Sequence, residues 1–283
     1  MSPATIAVSV LILGGVALTF AILIAVANLK LRVWEDPRID SVAEMLPGSN
    51  CGACGSPGCR VFAEELVAGV RQPAMCTQLG TDDVIDIADY LGVEAGEAVK
   101  RVARLLCAGG SNVTVRWADY IGIETCGAAA AVAAGGVGCG WACLGLADCE
   151  RSCDYDAIYM NEFGLPVVVP DNCTACGDCV EACPRDLFTL MPIEQKLIVQ
   201  CKSLLEGDEA EELCRVACTG CGLCATDAAP GLIEMRNGLA VIDYSKNQLA
   251  DPVATSRCPT DAIVWVEKQQ FADMPQPARS EVA

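Results

Sequence analysis

Residues 173–184 read CTACGDCVEACP and constrain the fold of this chain more than any other stretch. Their spacing, C-x2-C-x2-C-x3-C-P, is the run with which bacterial ferredoxins hold [4Fe-4S] clusters through cysteine thiolates. In two-cluster ferredoxins the fourth cysteine of one run ligates the cluster of the other run. The chain is therefore expected to fold a second cysteine-rich loop against this one.

That second loop precedes the first at residues 139–153, CGWACLGLADCERSC. Asp154 stands where proline usually follows the fourth cysteine, which weakens the turn but removes no ligand. Between the loops, DAIYMNEFGLPVVVPDN predicts two short strands around a turn. The crossed pattern predicts one cluster on Cys139, Cys143, Cys149 and Cys183, and another on Cys153, Cys173, Cys176 and Cys179.

The composition narrows the chemistry further. Cysteine accounts for 20 of the 283 residues and histidine for none. The lack of histidine excludes Rieske clusters, histidine-ligated haem and catalysis by Ser-His or Cys-His pairs. Zinc held by cysteine alone stays open as an alternative. A net charge of −18 without a basic stripe argues against nucleic acid as a partner.

A separate cysteine group occupies residues 49–76, SNCGACGSPGCRVFAEELVAGVRQPAMC. Its spacing is C-x2-C-x4-C-x16-C, and VFAEELVAGV predicts an amphipathic helix that returns the chain to the last cysteine. Four thiolates suit zinc too, but zinc ribbons usually pair two CxxC units. A further cluster is therefore expected on Cys51, Cys54, Cys59 and Cys76.

Residues 201–266 resemble a reduced copy of the module around residue 173. The triplet CTGCGLC supplies Cys218, Cys221 and Cys224, and LIEMRNGLAVIDYSKN again predicts strand, turn and strand. Downstream only Cys258 remains, followed by proline. Four positions that carry cysteine in the complete module have lost it here: Ala228, Asn247, Ala250 and Val253.

These losses agree with crossed ligation, in which the fourth cysteine of each run binds the cluster of the other run. All four missing cysteines would then have bound the same cluster. The surviving set is therefore expected to hold one cluster, on Cys218, Cys221, Cys224 and Cys258. The alternatives are a three-iron cluster, or a triplet that binds nothing stable beside a buried Cys258 thiol.

Four cysteines fall outside these sets: Cys107, Cys126, Cys201 and Cys214. Cysteine packs well as a small apolar side chain, so buried thiols are the first interpretation. A further metal site and a redox disulfide are the alternatives.

The N-terminal segment carries no charged side chain over residues 1–29. Its apolar stretch is long enough to cross about 30 Å of hydrocarbon as a helix. Lys30 and Arg32 follow it, so the positive-inside rule places the N-terminus outside and residues 30–283 in the cytoplasm. A reducing cytoplasm keeps thiols free for metal, which argues against a scaffold of many disulfides.

Taken together, these motifs resemble the B subunit of the Rnf electron-transport complex, an ion-translocating ferredoxin:NAD oxidoreductase. The resemblance rests on the apolar N-terminus, on LPGSNCGACGSPGC with AEELVAG and Cys76, and on CLGLADC followed by CTACGDCVEACP, in that order. It covers almost the whole chain. The third block departs from the longer, cluster-rich members because it lacks one cluster.

The resemblance implies an electron-relay subunit of a bacterial inner-membrane complex that passes electrons between ferredoxin and NAD and moves sodium ions or protons. The implied partners are the other membrane subunits and a soluble ferredoxin or flavodoxin. No Rossmann glycine fingerprint follows a strand, so no nicotinamide site is expected in this chain. The alternatives are a membrane-tethered polyferredoxin that serves another acceptor, such as a redox sensor, and a zinc-binding interaction module.

The predicted architecture is α+β, with tandem ferredoxin-like modules and four [4Fe-4S] clusters. Its segments are a single transmembrane anchor helix (1–29), a small helical cluster domain (30–92), a helical or Ala/Gly-rich connector (93–138), a two-cluster ferredoxin-like module (139–192), a degenerate module with one cluster (193–268) and a flexible tail (269–283).

Overall fold

The fold mixes short helices and short strands, in agreement with the predicted combination of helix and sheet. The computed structural model describes residues 3–31, 35–97 and 99–272. The helices are α1 Pro3–Leu31, α2 Pro37–Met45, α3 Cys59–Val67, α4 Thr81–Leu91, α5 Cys126–Ala131, α6 Asp148–Arg151, α7 Asp178–Glu181, α8 Gly207–Leu213 and α9 Leu223–Asp227. The strands are β1 Arg101–Leu105, β2 Ile158–Met160, β3 Pro166–Val168, β4 Phe188–Pro192, β5 Leu197–Val199, β6 Ile233–Arg236, β7 Leu239–Ile242 and β8 Ile263–Trp265.

Helix α1 contains most of the apolar N-terminal segment, and its large side chains at Leu11, Leu18 and Ile24 are exposed. Where side chains are described, no helix offers an apolar stretch long enough to cross a membrane. The predicted anchor (1–29) and the predicted tail (269–283) both fall partly outside the described residues.

Helices α2, α3 and α4 form a small domain around one apolar core. Val42, Phe62, Leu66 and Ile87 are each at most 1% exposed in it. The helix predicted between the third and fourth cysteines of the first group is α3. Because α3 begins at Cys59, the helix holds that thiol at the edge of this core, near Cys76.

Two modules of the same plan follow this domain. In the first, β1 pairs antiparallel with β4 and β2 with β3. In the second, β5 pairs antiparallel with β8 and β6 with β7. Each module therefore combines an outer strand pair with an internal hairpin, and both predicted strand–turn–strand patterns are confirmed. Leu165 and Val167 are fully buried in the first core, and Leu197 and Leu232 in the second.

The segment predicted as a helical or Ala/Gly-rich connector (93–138) contains strand β1 near its start. Val102, Ala103 and Leu105 are buried in this strand, which pairs with β4 along its whole length. A short apolar run is compatible with a helix or a strand, and pairing across the module decides between them. The segment predicted as a connector (93–138) therefore contributes a strand to the first module.

The second module has two 3₁₀ turns, Tyr244–Leu249 and Pro252–Thr255, in the part of the chain where the first module has α7. Ala228 and Ala250, at two of the positions that have lost cysteine, pack half-buried against the core of this module. Apolar contacts thus occupy positions where the complete module carries thiols.

Candidate metal centres

The three cysteine triplets of the two modules share one backbone conformation. In each triplet, the residues four and two positions before the third cysteine have positive φ. These residues are Gly145 and Ala147, Ala175 and Gly177, and Gly220 and Gly222. Left-handed residues take part in the backbone nests of N–H groups that surround many anionic sites, including iron–sulfur sites. Two of the six are alanines, which adopt this conformation at a cost and only where the surrounding structure imposes it.

The turn after each fourth-cysteine position is repeated as well. Asp156, Asp186 and Asp261 lie three residues beyond Cys153, Cys183 and Cys258, and all three have positive φ. Aspartate is among the residues that tolerate this conformation best. Gly231 has the same conformation three residues beyond Ala228. Ala228 therefore occupies the structural position of a fourth cysteine.

The first module brings together the thiols of Cys153, Cys173, Cys176 and Cys179. All four line one small cavity, together with Ala157, Ile158 and Leu190. Burial raises the pKa of the Cys179 thiol to about 12, and the neighbouring Cys173 and Cys176 contribute to that rise. This is the complete set expected for one of the two crossed clusters.

A second cavity of the first module departs from expectation at one ligand. The thiols that line it are Cys126, Cys143, Cys149 and Cys183. Cys139, expected in this set, does not line it. Burial raises the pKa of both Cys143 and Cys149 to about 12, and Cys126 contributes to each shift through its proximity.

The position of Cys126 depends on the start of α5. Thr125 caps this helix, because its hydroxyl oxygen accepts from the Ala128 N–H at 3.2 Å. The Gly127 N–H donates to an oxygen of Asp148 in the cysteine loop, at 3.1 Å. These bonds hold Cys126 against a loop that is remote in sequence. No motif spacing pointed to this contact, which arises only from tertiary structure.

The second module brings together Cys218, Cys221, Cys224 and Cys258. They line one small cavity with Met235, Ala240 and Ile263. Burial raises the pKa of the Cys224 thiol to about 11, and Cys218 and Cys258 act on it in the same direction. The surviving cysteines of the degenerate block therefore converge on one place, as crossed ligation predicts.

The helical domain gathers the first cysteine group at its own core. Cys54 and Cys59 pack against the apolar cluster that contains Cys76. The Cys59 N–H donates to Asn50 Oδ1 at 2.8 Å, and Arg71 Nη1 donates to the Cys54 carbonyl at 3.0 Å. Burial raises the pKa of the Cys76 thiol, with Cys54 and Cys51 adding to the effect.

This helical domain contacts the first module near one of its cysteine sites. The Thr77 hydroxyl donates to the Thr174 carbonyl at 2.8 Å. Tyr155 lies close enough to both Cys51 and Cys176 for their charges to raise its pKa, in addition to the effect of burial. The first cysteine group and the site of Cys176 are therefore neighbours.

The donor chemistry of these sites fits [4Fe-4S] clusters, which take four cysteine thiolates in a largely apolar setting. Three of the sites are cavities in which four thiols are surrounded mainly by aliphatic side chains. Across the part of the chain that the structure describes, no three Cys, Asp or Glu side chains converge closely enough to hold a single metal ion.

Two protein families match parts of the chain. Residues 46–78 match the family described as "Putative Fe-S cluster", and residues 166–189 match the "4Fe-4S binding domain". The first match covers the cysteine group of the helical domain, and the second covers the run CTACGDCVEACP. The chain is thus an iron–sulfur protein with a ferredoxin-type domain.

Three curated relatives identify the family more closely. The B subunit of the Na⁺-translocating ferredoxin:NAD⁺ oxidoreductase complex of Acetobacterium woodii is 40% identical over 91% of this chain and 77% of its own length. The B subunit of the ion-translocating oxidoreductase complex of Methanosarcina acetivorans is 34% identical over 90% and 96%. The B subunit of the proton-translocating ferredoxin:NAD⁺ oxidoreductase complex of Clostridium ljungdahlii is 32% identical over 95% and 94%. The chain belongs to this family, the B subunits of ion-translocating (Rnf) oxidoreductase complexes.

Proposed function

We propose that this chain is the iron–sulfur electron-relay subunit of a membrane-bound, ion-translocating oxidoreductase. In this role it passes electrons between a soluble ferredoxin and the other subunits of the complex. The names of its relatives support a ferredoxin:NAD⁺ oxidoreductase. The observation that carries the proposal is that the four-cysteine sites of the helical domain and of the first module are neighbours, because electron transfer needs closely spaced redox centres.

The proposed ligand sets follow the grouping of the thiols. They are Cys51, Cys54, Cys59 and Cys76; Cys126, Cys143, Cys149 and Cys183; Cys153, Cys173, Cys176 and Cys179; and Cys218, Cys221, Cys224 and Cys258. Cys126 takes the place that the sequence pattern assigned to Cys139. Each bound cluster would supply a site that accepts and releases one electron.

The protein's own residues contribute binding, spacing and exclusion of water. Leu105, Met160 and Phe188 line the cavity of the second set, and apolar surroundings of this kind help to set the reduction potential of a cluster. Adjacent sets approach through their thiols, since Cys179 lies near enough to Cys149 to raise its pKa beyond the effect of burial. Electrons would move along this series without any bond to substrate being made.

The membrane attachment is proposed from the sequence and from the names of the relatives. Residues 1–29 carry no charge and precede Lys30 and Arg32, which supports a single anchor with the N-terminus outside and the cluster domains in the cytoplasm. The other membrane subunits of the complex are the expected partners at this anchor. A soluble ferredoxin or flavodoxin is the expected electron partner of the cluster domains.

The proposal is tested by purifying the full-length chain anaerobically in detergent. The expected preparation is brown, contains iron and acid-labile sulfide, and is reduced by ferredoxin with new EPR signals from [4Fe-4S]⁺ clusters. A colourless chain with zinc and without sulfide would contradict the relay function. Cys258→Ala is expected to lose about four irons, whereas Val253→Ala, at an exposed position in the same segment, keeps them all.

A further inference from the structure

Four cysteines remain once Cys126 joins the first module: Cys107, Cys139, Cys201 and Cys214. They lie in four separate segments of the chain. Three of them, Cys107, Cys139 and Cys214, are each 7% exposed, and Cys201 is half-buried. None of them lines the three cavities described above.

Backbone hydrogen bonds draw two of these segments together. The Ala108 N–H donates to the Gln200 carbonyl at 3.0 Å, which places the loop of Cys107 beside the loop of Cys201. The same chain segment then continues through residues 113–116 and makes contact with the other two loops.

The segment 113–116 lies between the loops of Cys214 and Cys139. Thr114 forms an antiparallel bridge with Cys214. The Val115 N–H donates to the Leu213 carbonyl at 2.9 Å, and the Val115 carbonyl accepts from the Gly138 N–H at 2.8 Å. Val115 therefore bonds to both Leu213 and Gly138, the residues that directly precede Cys214 and Cys139.

Gly109 shows that two of the sulfurs share one small space. A Cβ atom at this glycine would lie 3.3 Å from Cys214 Sγ and 3.4 Å from Cys107 Sγ. The two sulfurs are therefore less than about 7 Å apart. The same Cβ would also lie 2.5 Å from Thr114 Oγ1, so the space between these side chains admits only glycine here.

The remaining thiols complete this group. Cys139 and Cys214 are near enough to interact electrostatically, and so are Cys201 and Cys139. Cys201 packs against the apolar cluster that contains Cys214 as well as the one that contains Cys218. Each of the four thiols is thus a neighbour of at least one other.

Hydrogen-bond donors point at three of the four sulfurs. The N–H groups of Gly109 and Cys143 each donate to Cys107 Sγ at 3.4 Å. The Ser203 N–H donates to Cys201 Sγ at 3.4 Å, and the Thr114 hydroxyl lies 3.5 Å from Cys214 Sγ. A neutral thiol is a weak acceptor, whereas cluster-bound thiolates commonly receive such N–H···S bonds.

We propose that Cys107, Cys139, Cys201 and Cys214 ligate a fifth [4Fe-4S] cluster, located between the two modules. This inference rests on the proposed function in one respect, namely that the chain binds iron–sulfur clusters at all. Four thiols from four loops in a buried setting are the ligand set that such a cluster takes. The cluster would also tie these loops together, because its binding free energy adds to that of folding.

The location gives this cluster a defined role in the relay. Cys107 Sγ accepts from the N–H of Cys143, a ligand of the second set in the first module. On the other side, Cys201 and Cys218 pack in the same apolar cluster of the second module. The fifth cluster therefore connects the clusters of the two modules. In a one-electron step, a neighbouring cluster is oxidised from [4Fe-4S]⁺ to [4Fe-4S]²⁺ and the fifth cluster is reduced from [4Fe-4S]²⁺ to [4Fe-4S]⁺. No proton is transferred, and no covalent bond forms or breaks.

Iron counting on the full-length chain, loaded with ferrous iron and sulfide under anaerobic conditions, tests this site. Native mass spectrometry and chemical assay are expected to find about twenty irons per chain, against about sixteen for four clusters. Cys214→Ala is expected to lose about four irons. Val113→Ala, which removes a buried side chain next to Cys214 without removing a ligand, keeps all of them.

The outcomes separate this site from the function as a whole. About sixteen irons in the unsubstituted chain, with these four cysteines recovered as free thiols or as disulfides after denaturation, would overturn the fifth cluster and leave the relay intact. A chain without iron and sulfide would overturn the proposed function itself. If Cys214→Ala does not fold, the count on the unsubstituted chain still decides the question.

Discussion

The ligand that shares a cluster with Cys183 can be identified by counting iron in paired substitutions. The spacing of the cysteine runs assigns Cys139 to this cluster, whereas the structure places Cys126 in the same cavity as Cys183. The informative chains are Cys126→Ala, Cys139→Ala, Cys183→Ala, and the double substitutions of Cys183 with each of the other two. Each single substitution is expected to remove one cluster, or about four irons.

The double substitutions distinguish the two assignments. If Cys126 and Cys183 bind the same cluster, the second substitution removes a ligand from a cluster already lost, so the pair again loses about four irons. Cys139 belongs to the separate group with Cys214, so Cys139→Ala combined with Cys183→Ala is expected to lose about eight. This is the logic of a double-mutant cycle, in which non-additivity reports a shared site.

The assay is iron and sulfide per chain, with native mass spectrometry to count whole clusters and EPR to detect any three-iron product. Ser152→Ala is the control within the same cysteine loop, because its hydroxyl donates to the Cys149 carbonyl, at 3.1 Å, and is no cluster ligand. It is expected to retain every cluster. The structural reasoning fails if the pair of Cys139 and Cys183 loses only one cluster while the pair of Cys126 and Cys183 loses two.

Two further predictions concern residues around the clusters. Gly220 and Gly222 both have positive φ, but a Cβ at Gly220 would lie 2.9 Å from the Gly238 carbonyl oxygen, whereas at Gly222 its nearest neighbour is 3.8 Å away. Gly222→Ala should therefore lower the free energy of unfolding by about 1–2 kcal/mol, because alanine is strained in the left-handed conformation. Gly220→Ala should lower it by about 1–3 kcal/mol more, because the added Cβ overpacks the site. Equal urea midpoints for the two variants, measured by loss of visible absorption, would refute this. Arg104 is buried near Cys173, and burial lowers its pKa while Cys173 raises it. The positive charge of Arg104 stabilises the reduced state of the cluster that Cys173 binds. Arg104→Met should therefore lower the reduction potential of this cluster in an EPR-monitored redox titration, and an unchanged potential would contradict the idea.

The local elements of this protein could be predicted from sequence because their signals are short-range. The run CTACGDCVEACP predicts a cluster-binding triplet from its spacing alone, and the same spacing returns at Cys218, Cys221 and Cys224. The hairpins β2–β3 and β6–β7 likewise follow from turn residues between apolar runs. Strand β1 could not be recognised in this way, because its apolar residues fit either secondary structure until β4 pairs with them.

The grouping of distant thiols is a different kind of information. Spacing limits only the few residues between neighbouring cysteines, so it predicts a triplet but not which remote loop completes it. Cys126 reaches its cavity through the cap of α5 and the bond from Gly127 to Asp148. Cys139 instead follows the segment that bonds to Val115, and so lies with Cys214.

The sequence by itself therefore determined the chemistry of this protein: thiolate sites in ferredoxin-type loops, and a last module that has lost one coherent set of ligands. Only the tertiary structure decided which cysteines from separate loops meet, including the group between the two modules. The physical reason is the range of the constraints. Backbone conformation within a loop is set by a few neighbouring residues, whereas the approach of one loop to another is set by strand pairing, helix caps and packing across the whole fold.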